Sequence, residues 1–222
     1  MSLPMIQPYS LPTAEEVPAG RVEWRPDPDR AALLVHDMQR YFLAPYAGAP
    51  LPDVTANIAL LVAAARAYGV PVFYTAQPGR QEPTDRGLLT EFWGEGIGAV
   101  IDDDPAAADI VSPLAPAPGD RVLTKWRYSA FQRSTFAEQL AVHDRDQLLI
   151  TGVYAHIGCQ ATAVEAFMRD IRPFLVADAV ADFSRERHDQ ACEYVAQRCG
   201  AVTTAAAATT ALTAAAPVGG SR

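Results

Sequence analysis

Lysine is nearly absent from this chain: Lys125 stands alone among 18 basic residues, the other 17 being arginine. An arginine-biased chain that keeps one lysine draws attention to that position. An ammonium is a compact charge on a flexible stem, and its pKa moves readily on burial. Cysteine is scarce too. Cys159, Cys192 and Cys199 make neither a disulfide framework nor a close metal-ligand pair, and they read as the reduced thiols of a cytoplasmic protein. Apolar runs of the ~20 residues that span a bilayer are missing, and the first twenty residues have neither the basic start nor the apolar core of a secretory signal. No membrane association is expected. Positive charge is in deficit, at a net −8, which excludes the basic stripe that nucleic-acid binders need. A chain of this sign that takes an anionic ligand must do so against its own mean field, so each cation in a site carries extra weight.

What is present reads as one globular domain, half apolar and one-fifth charged. Residues 1–30, rich in proline and polar side chains, form an extended N-terminal arm ahead of a single domain over 31–210. Within that domain short apolar runs alternate with helical stretches. AALLVH (31–36), PVFYTA (71–76), RVLTKW (121–126), QLLITGV (147–153), PFLVADAV (173–180) and AVTTA (201–205) are the strands. Helices are expected over 53–69, with Gly69 as C-cap, over 134–143 from a Ser134 cap, over 154–170 after a sharp loop, and over 184–200. The segment 88–93 is a short aromatic stretch, and the low-complexity run from 206 reads as one last helical turn or two before a flexible tail over 211–222. The alternation predicts an α/β fold: an open, mostly parallel six-stranded sheet with helices on both faces and right-handed crossovers.

In such sheets ligands bind beyond the carboxyl ends of the strands, where strand order reverses. Asp37, Gln77, Lys125 and the loop from Tyr154 to Cys159 occupy those ends. Partial desolvation raises the pKa of a carboxylate such as Asp37, and a neighbouring cation lowers it again. Asp37 and Lys125 are expected at the ends of neighbouring strands, in one crevice. A carboxylic acid there could give up a proton beside a cation holding an anionic substrate; the alternative is an aspartate that only caps a turn.

The strings LLVHDMQRYF, YTAQPG, RGLLTEFWG, LTKWRYSAF, LLITGVYAHIGC, AFMRDI and PFLVADAVADFS resemble the isochorismatase family, from about residue 5 to about residue 204. The siderophore and phenazine-pathway enzymes are the branch they look like. The wider superfamily includes cysteine hydrolases with an Asp–Lys–Cys triad. Laid on GVYAHIGC, their nucleophile falls on Gly158, one place before Cys159, and a one-residue offset at a helix start turns a side chain by about 100°. Cys159 is therefore expected to point away from the site. The histidine metal site of the nicotinamidases has no counterpart either, because His36, His143, His156 and His188 leave 37–142 empty of histidine. Neither a metal nor a cofactor is expected.

The resemblance implies hydrolysis of the vinyl ether of isochorismate to 2,3-dihydroxy-2,3-dihydrobenzoate and pyruvate, or of its 2-amino-2-deoxy analogue to a dihydro-hydroxyanthranilate. Asp37 would be the general acid and Lys125 the cation holding a substrate carboxylate. Gln77 would hydrogen-bond the substrate, and Arg86 would pair with a carboxylate. Phe42, Trp93 and Tyr128 would wall the ring, and Tyr154, after a cis peptide, would sit beside the acid. Gly158 would vacate space for the enolpyruvyl group and let backbone N–H groups face an anion. For Phe42 and Trp93 a plain core role stays open, as does a solvated loop charge for Arg86. Arg127 reads as structural, on the face away from Lys125. A homodimer, a small chorismate-derived anion as substrate and a separate carrier protein are the partners implied; a non-catalytic scaffold is the distant alternative.

Overall fold

The computed structural model describes residues 3–214. Six strands form one all-parallel sheet in the order β3-β2-β1-β4-β5-β6. They are β1 (Ala31–His36), β2 (Val72–Ala76), β3 (Arg121–Thr124), β4 (Gln147–Val153), β5 (Arg172–Ala181) and β6 (Ala201–Thr203). β1, with every residue buried, and β4, likewise, are the central pair. That explains why both read as unbroken apolar runs rather than alternating ones. The chain runs outward from β1 through β2 to β3, then crosses to β4 and runs out the other way. The order reverses between β1 and β4, and this is where the site lies.

The helices are α1 (Arg40–Leu43), α2 (Leu51–Ala67), α3 (Pro83–Arg86), α4 (Leu89–Trp93), α5 (Phe136–Val142), α6 (Gln160–Met168), α7 (Arg185–Arg198) and α8 (Ala205–Ala214). α2 buries Val54, Ile58, Leu61, Val62 and Ala65 as one stripe, with Asp53 in its first turn and Arg66 in its last, matching the helix dipole. Ser184 caps α7 by accepting the Arg187 N–H at 3.3 Å. Side chains alternate along β1: Leu33 and Val35 join the core under α2 and α8, while Ala32 and Leu34 join the core under α5, α6 and α7.

Two expectations need correcting here. The helix over 154–170 opens with a π-helical turn at Ala155–Cys159 before α6 begins. Such turns widen the backbone and collect at functional sites. The tail expected over 211–222 starts as structure: α8 continues to Ala214, and Ala205, Ala208 and Leu212 are buried against the α2 side of the sheet. Leucine at a spacing of seven from Ala205 keeps the helix seated, a signal hidden by the surrounding alanines. The remainder of that tail, 215–222, lies outside the described residues. The N-terminal arm is extended, as its proline content implies, and it is docked. Ile6 is fully buried and bridges to Tyr46, and the Tyr9 hydroxyl accepts the Asp182 N–H at 2.8 Å. Among the described residues no helix is long and apolar enough to cross a membrane.

Candidate active site

Asp37 is the first residue past β1, and its backbone turns left-handed, with φ of 50°. Aspartate tolerates that region better than most residues. The turn folds its side chain back onto β2. There the Thr75 hydroxyl accepts the Asp37 N–H at 3.0 Å and donates to Oδ1 at 2.6 Å. Lys125 Nζ donates to the other oxygen, Oδ2, at 2.8 Å. All three groups are buried. The strands carrying Asp37 and Lys125 are not neighbours, contrary to expectation: β2 runs between them, and Thr75 on β2 fills the gap. Lys125 extends the pairing of β3 with β2 by one bond, its N–H reaching the Ala76 carbonyl at 2.9 Å.

Burial pushes the Asp37 carboxyl up, but the Lys125 ammonium and the hydrogen bonds from Lys125 and Thr75 outweigh it. The carboxyl lies below the usual carboxylate range. The resting pair is therefore carboxylate and ammonium. Lys125 is neutralised by Asp37 at close range, so it is a weaker anchor for a substrate carboxylate than the sequence suggested.

Above the pair opens a cleft of about 590 Å³, part of it exposed to solvent, which Phe42, Gln77, Arg86, Trp93, Tyr128, Tyr154 and Gly158 line together with Asp37 and Lys125. Every residue expected at the site reaches it. Gln39, fully buried, clamps the backbone of Gln77: its Nε2 donates to the Gln77 carbonyl at 2.8 Å and its Oε1 accepts the Gln77 N–H at 2.8 Å. Arg86 ends α3 and is buried, which lowers its pKa. Its Nε donates to the Gly94 carbonyl and Nη1 reaches Gln81 Oε1 at 3.4 Å, and it has no carboxylate partner among the described residues. A Cβ on Gly96 would lie 2.6 Å from Arg86 Nη2, so the glycine makes the seat for this guanidinium. A buried cation without a counter-ion is suited to an anionic ligand.

The aromatic wall is bonded to the frame. Trp93 Nε1 donates to the Tyr128 hydroxyl at 2.8 Å, and the Tyr154 hydroxyl donates to the Phe42 carbonyl at 2.6 Å. The Val153–Tyr154 peptide is cis. Cys159 is fully buried among the apolar residues under α6, and desolvation raises its thiol pKa well above the ordinary value. It does not line the cleft.

Other residues escaped the sequence reading. Leu3 of the arm, Tyr41, Leu89 and Ile157 also line the cleft, as does Arg127. β3 ends at Thr124, and residues two apart on an extended chain share a side, so Arg127 accompanies Lys125 rather than facing away. Its Nη1 donates to the carbonyls of Asp85 at 2.5 Å and Trp126 at 2.6 Å. His36 closes β1, and nothing in its local sequence pattern assigns its ring to the cleft. Its ring is fully buried and Gly158 faces it directly: a Cβ at 158 would lie 2.1 Å from His36 Cε1. The space expected to be free beside Gly158 is thus partly taken by the imidazole.

An ion-paired acid at the switch point of a parallel sheet, with a guanidinium lacking a carboxylate partner across a walled cleft, defines a ligand-binding cleft of the open α/β class. The isochorismatase domain matches residues 31–207. The chain belongs to the isochorismatase family. It is 54% identical over 201 residues to isochorismatase of Bacillus subtilis, covering 90% of this chain and 63% of that one. With the phenazine biosynthesis protein PhzD of Pseudomonas fluorescens it shares 52% identity over 202 residues, covering 91% of this chain and 96% of that one. The chain therefore spans less than two-thirds of the Bacillus protein's length and nearly all of PhzD's. Among solved structures, a cysteine hydrolase from Pseudomonas syringae pv. phaseolicola has the same fold, with a TM-score of 0.78 at 24% identity, covering 90% of this chain and 99% of that one.

Proposed function

We propose that this chain hydrolyses the enolpyruvyl ether of isochorismate, releasing pyruvate and 2,3-dihydroxy-2,3-dihydrobenzoate. The observation that carries this reading is the buried Asp37–Lys125 pair at the floor of a cleft where position 158 offers no nucleophilic side chain. A vinyl ether needs none. Asp37 in its acid form protonates the terminal methylene carbon, and the electron pair of the double bond takes the proton. The oxocarbenium ion left behind adds water, and the water's proton returns to Asp37. The hemiketal then collapses: its hydroxyl proton passes to the ring oxygen, the C–O bond to the ring breaks, and pyruvate and the ring alcohol form.

Asp37 rests as a carboxylate, so it must gain a proton when substrate binds. A substrate with two carboxylates, enclosed beside Asp37, disfavours a third negative charge and drives that uptake. Lys125 then balances the site through the reaction. Arg86, without a carboxylate of its own, is the better partner for a substrate carboxylate, and Gln77, held by Gln39, presents an amide to the substrate's oxygens. Phe42, Trp93, Tyr128 and Tyr154 enclose the ring and limit water.

The 2-amino-2-deoxy analogue is the second reading, supported by the near full-length match to a phenazine biosynthesis protein. A second copy of this chain and a separate carrier protein belong to the same reading as partners. Exposed Leu88, Phe92 and Met168 near the cleft mouth support an apolar contact there. Pyruvate release from isochorismate and from the amino analogue, measured in parallel on EDTA-treated protein, tests the proposal. Faster turnover of the amino analogue moves the assignment to that substrate, and no pyruvate from either removes it.

A further inference from the structure

The geometry points to His36 as a positioning residue of this site, one that excludes any side chain at position 158. His36 shares the side of β1 occupied by Ala32 and Leu34, so its imidazole is turned toward the π-helical turn that precedes α6. There the ring touches the ends of two other strands. Nδ1 lies 2.8 Å from the Val153 carbonyl, the last of β4, and Nε2 lies 3.3 Å from the Tyr128 carbonyl, in the segment after β3. A neutral imidazole carries one N–H, and the shorter contact gives it to Nδ1, which donates to the Val153 carbonyl and ties the end of β1 to the end of β4, while the other edge of the ring packs against the Tyr128 segment.

The ring occupies the space that a side chain at position 158 would need. A Cβ at position 158 would lie 2.1 Å from Cε1, 2.7 Å from Nε2 and 3.1 Å from Nδ1 of His36. Gly152, the β4 residue paired with His36, approaches it so closely that a Cβ there would lie 2.1 Å from the His36 carbonyl oxygen. The absence of a side chain at 158 therefore makes room for His36, and not only for a ligand. Loss of the ring would free Asp37 and the Tyr128 segment to shift, and a displacement near 1 Å at a reacting group costs about 10²-fold in rate.

The inference rests on the hydrolytic reading of the cleft for its rate effects, and on packing alone for its steric part. Four proteins test it: His36→Ala, His36→Asn, Gly158→Ala and the double variant His36→Ala/Gly158→Ala, each read by thermal unfolding and by kcat and KM for pyruvate release. Gly158→Ala is expected to lower Tm and the rate in the wild-type background, and to cost little further Tm when His36 is already alanine. His36→Ala should lose about 10²-fold in kcat with a smaller change in KM. His36→Asn, whose amide can still donate to the Val153 carbonyl, should recover at least about tenfold of that loss. A Gly158→Ala protein as stable as wild type, or one that loses the same Tm in both backgrounds, would overturn the exclusion. Equal rates for His36→Asn and His36→Ala would overturn the positioning role. Should His36→Ala not fold, Gly158→Ala added to His36→Asn carries the same comparison. A wild type that releases no pyruvate would remove the proposed substrate, while the Tm coupling would still decide the steric claim.

Discussion

Lys125 Nζ meets Asp37 Oδ2 at 2.8 Å across an intervening strand, and the Thr75 hydroxyl of that strand completes the carboxylate's second oxygen. A carboxylate, an ammonium and a hydroxyl are thereby brought together from the ends of three strands, and removing either charge leaves the other buried without compensation.

Asp37→Asn should lower pyruvate release by at least about 10²-fold. Because Lys125 is then buried opposite a neutral amide, stability should also fall, by about 3–5 kcal/mol where a buried pair is broken. Adding Lys125→Met to that variant should restore much of the Tm without restoring the activity. Thermal unfolding beside a pyruvate assay separates the two effects; recovery of both together would place the pair outside the chemistry.

The pH dependence of kcat/KM follows from the same pair, since that ratio reports groups of the free enzyme. Lys125 and Thr75 hold the Asp37 carboxyl below its ordinary range, so the proton-bearing form is the minor one at neutral pH. As pH falls from about 8 to about 5, log kcat/KM should climb by about one per pH unit. A rate that is flat or falls over that interval would show that Asp37 is not the proton donor.

His36 titrates in the other readout. Burial pushes its pKa down to about 4, against about 6.5 in an unfolded chain. Between those values the unfolded state binds a proton that the folded state does not, so stability rises with pH across the window and is lost as pH falls through it. The loss should be on the order of 3 kcal/mol for this one group. His188, also buried with a lowered pKa, acts with the same sign. Only the difference between wild type and His36→Asn isolates His36, and parallel Tm-versus-pH curves for the two would contradict the burial argument.

Arg86→Ala should raise KM roughly ten- to hundredfold, the loss expected for one charge-assisted hydrogen bond, with kcat changing less. Steady-state kinetics decide it. A fall in kcat at unchanged KM would instead put Arg86 at the reacting atoms.

Cys159 should be inert. Its thiol is buried and its pKa is raised, so alkylating reagents should leave the native enzyme active, and Cys159→Ala should keep wild-type kcat. Inactivation by iodoacetamide at neutral pH, protected by substrate, would reopen a cysteine mechanism.

The central strands were legible because burial on both faces of a parallel sheet demands unbroken apolar runs, and β1 and β4 obey that demand. Asp37, Gln77 and Lys125 were legible by place: polar residues directly after such runs fall at the sheet's carboxyl edge. Thr75 was not, since a β-branched residue inside VFYTA looks like any strand residue and its hydroxyl gains meaning only from the left-handed turn at Asp37. His36 was hidden for a related reason. Its importance lies in a collision with Gly158, 122 positions along the chain, which no local pattern records. Arg127 lies two residues past Lys125 and therefore on its side, and α8 runs beyond the turn or two expected because Leu212 packs, which a run of alanines conceals.

The lone lysine has a practical consequence for spectroscopy. Protein grown with isotopically labelled lysine would give a single side-chain resonance, and that signal would come from the ammonium hydrogen-bonded to Asp37. Its chemical shift and exchange rate, followed through a substrate titration, would report the moment its partner carboxylate gains a proton, against an otherwise silent background.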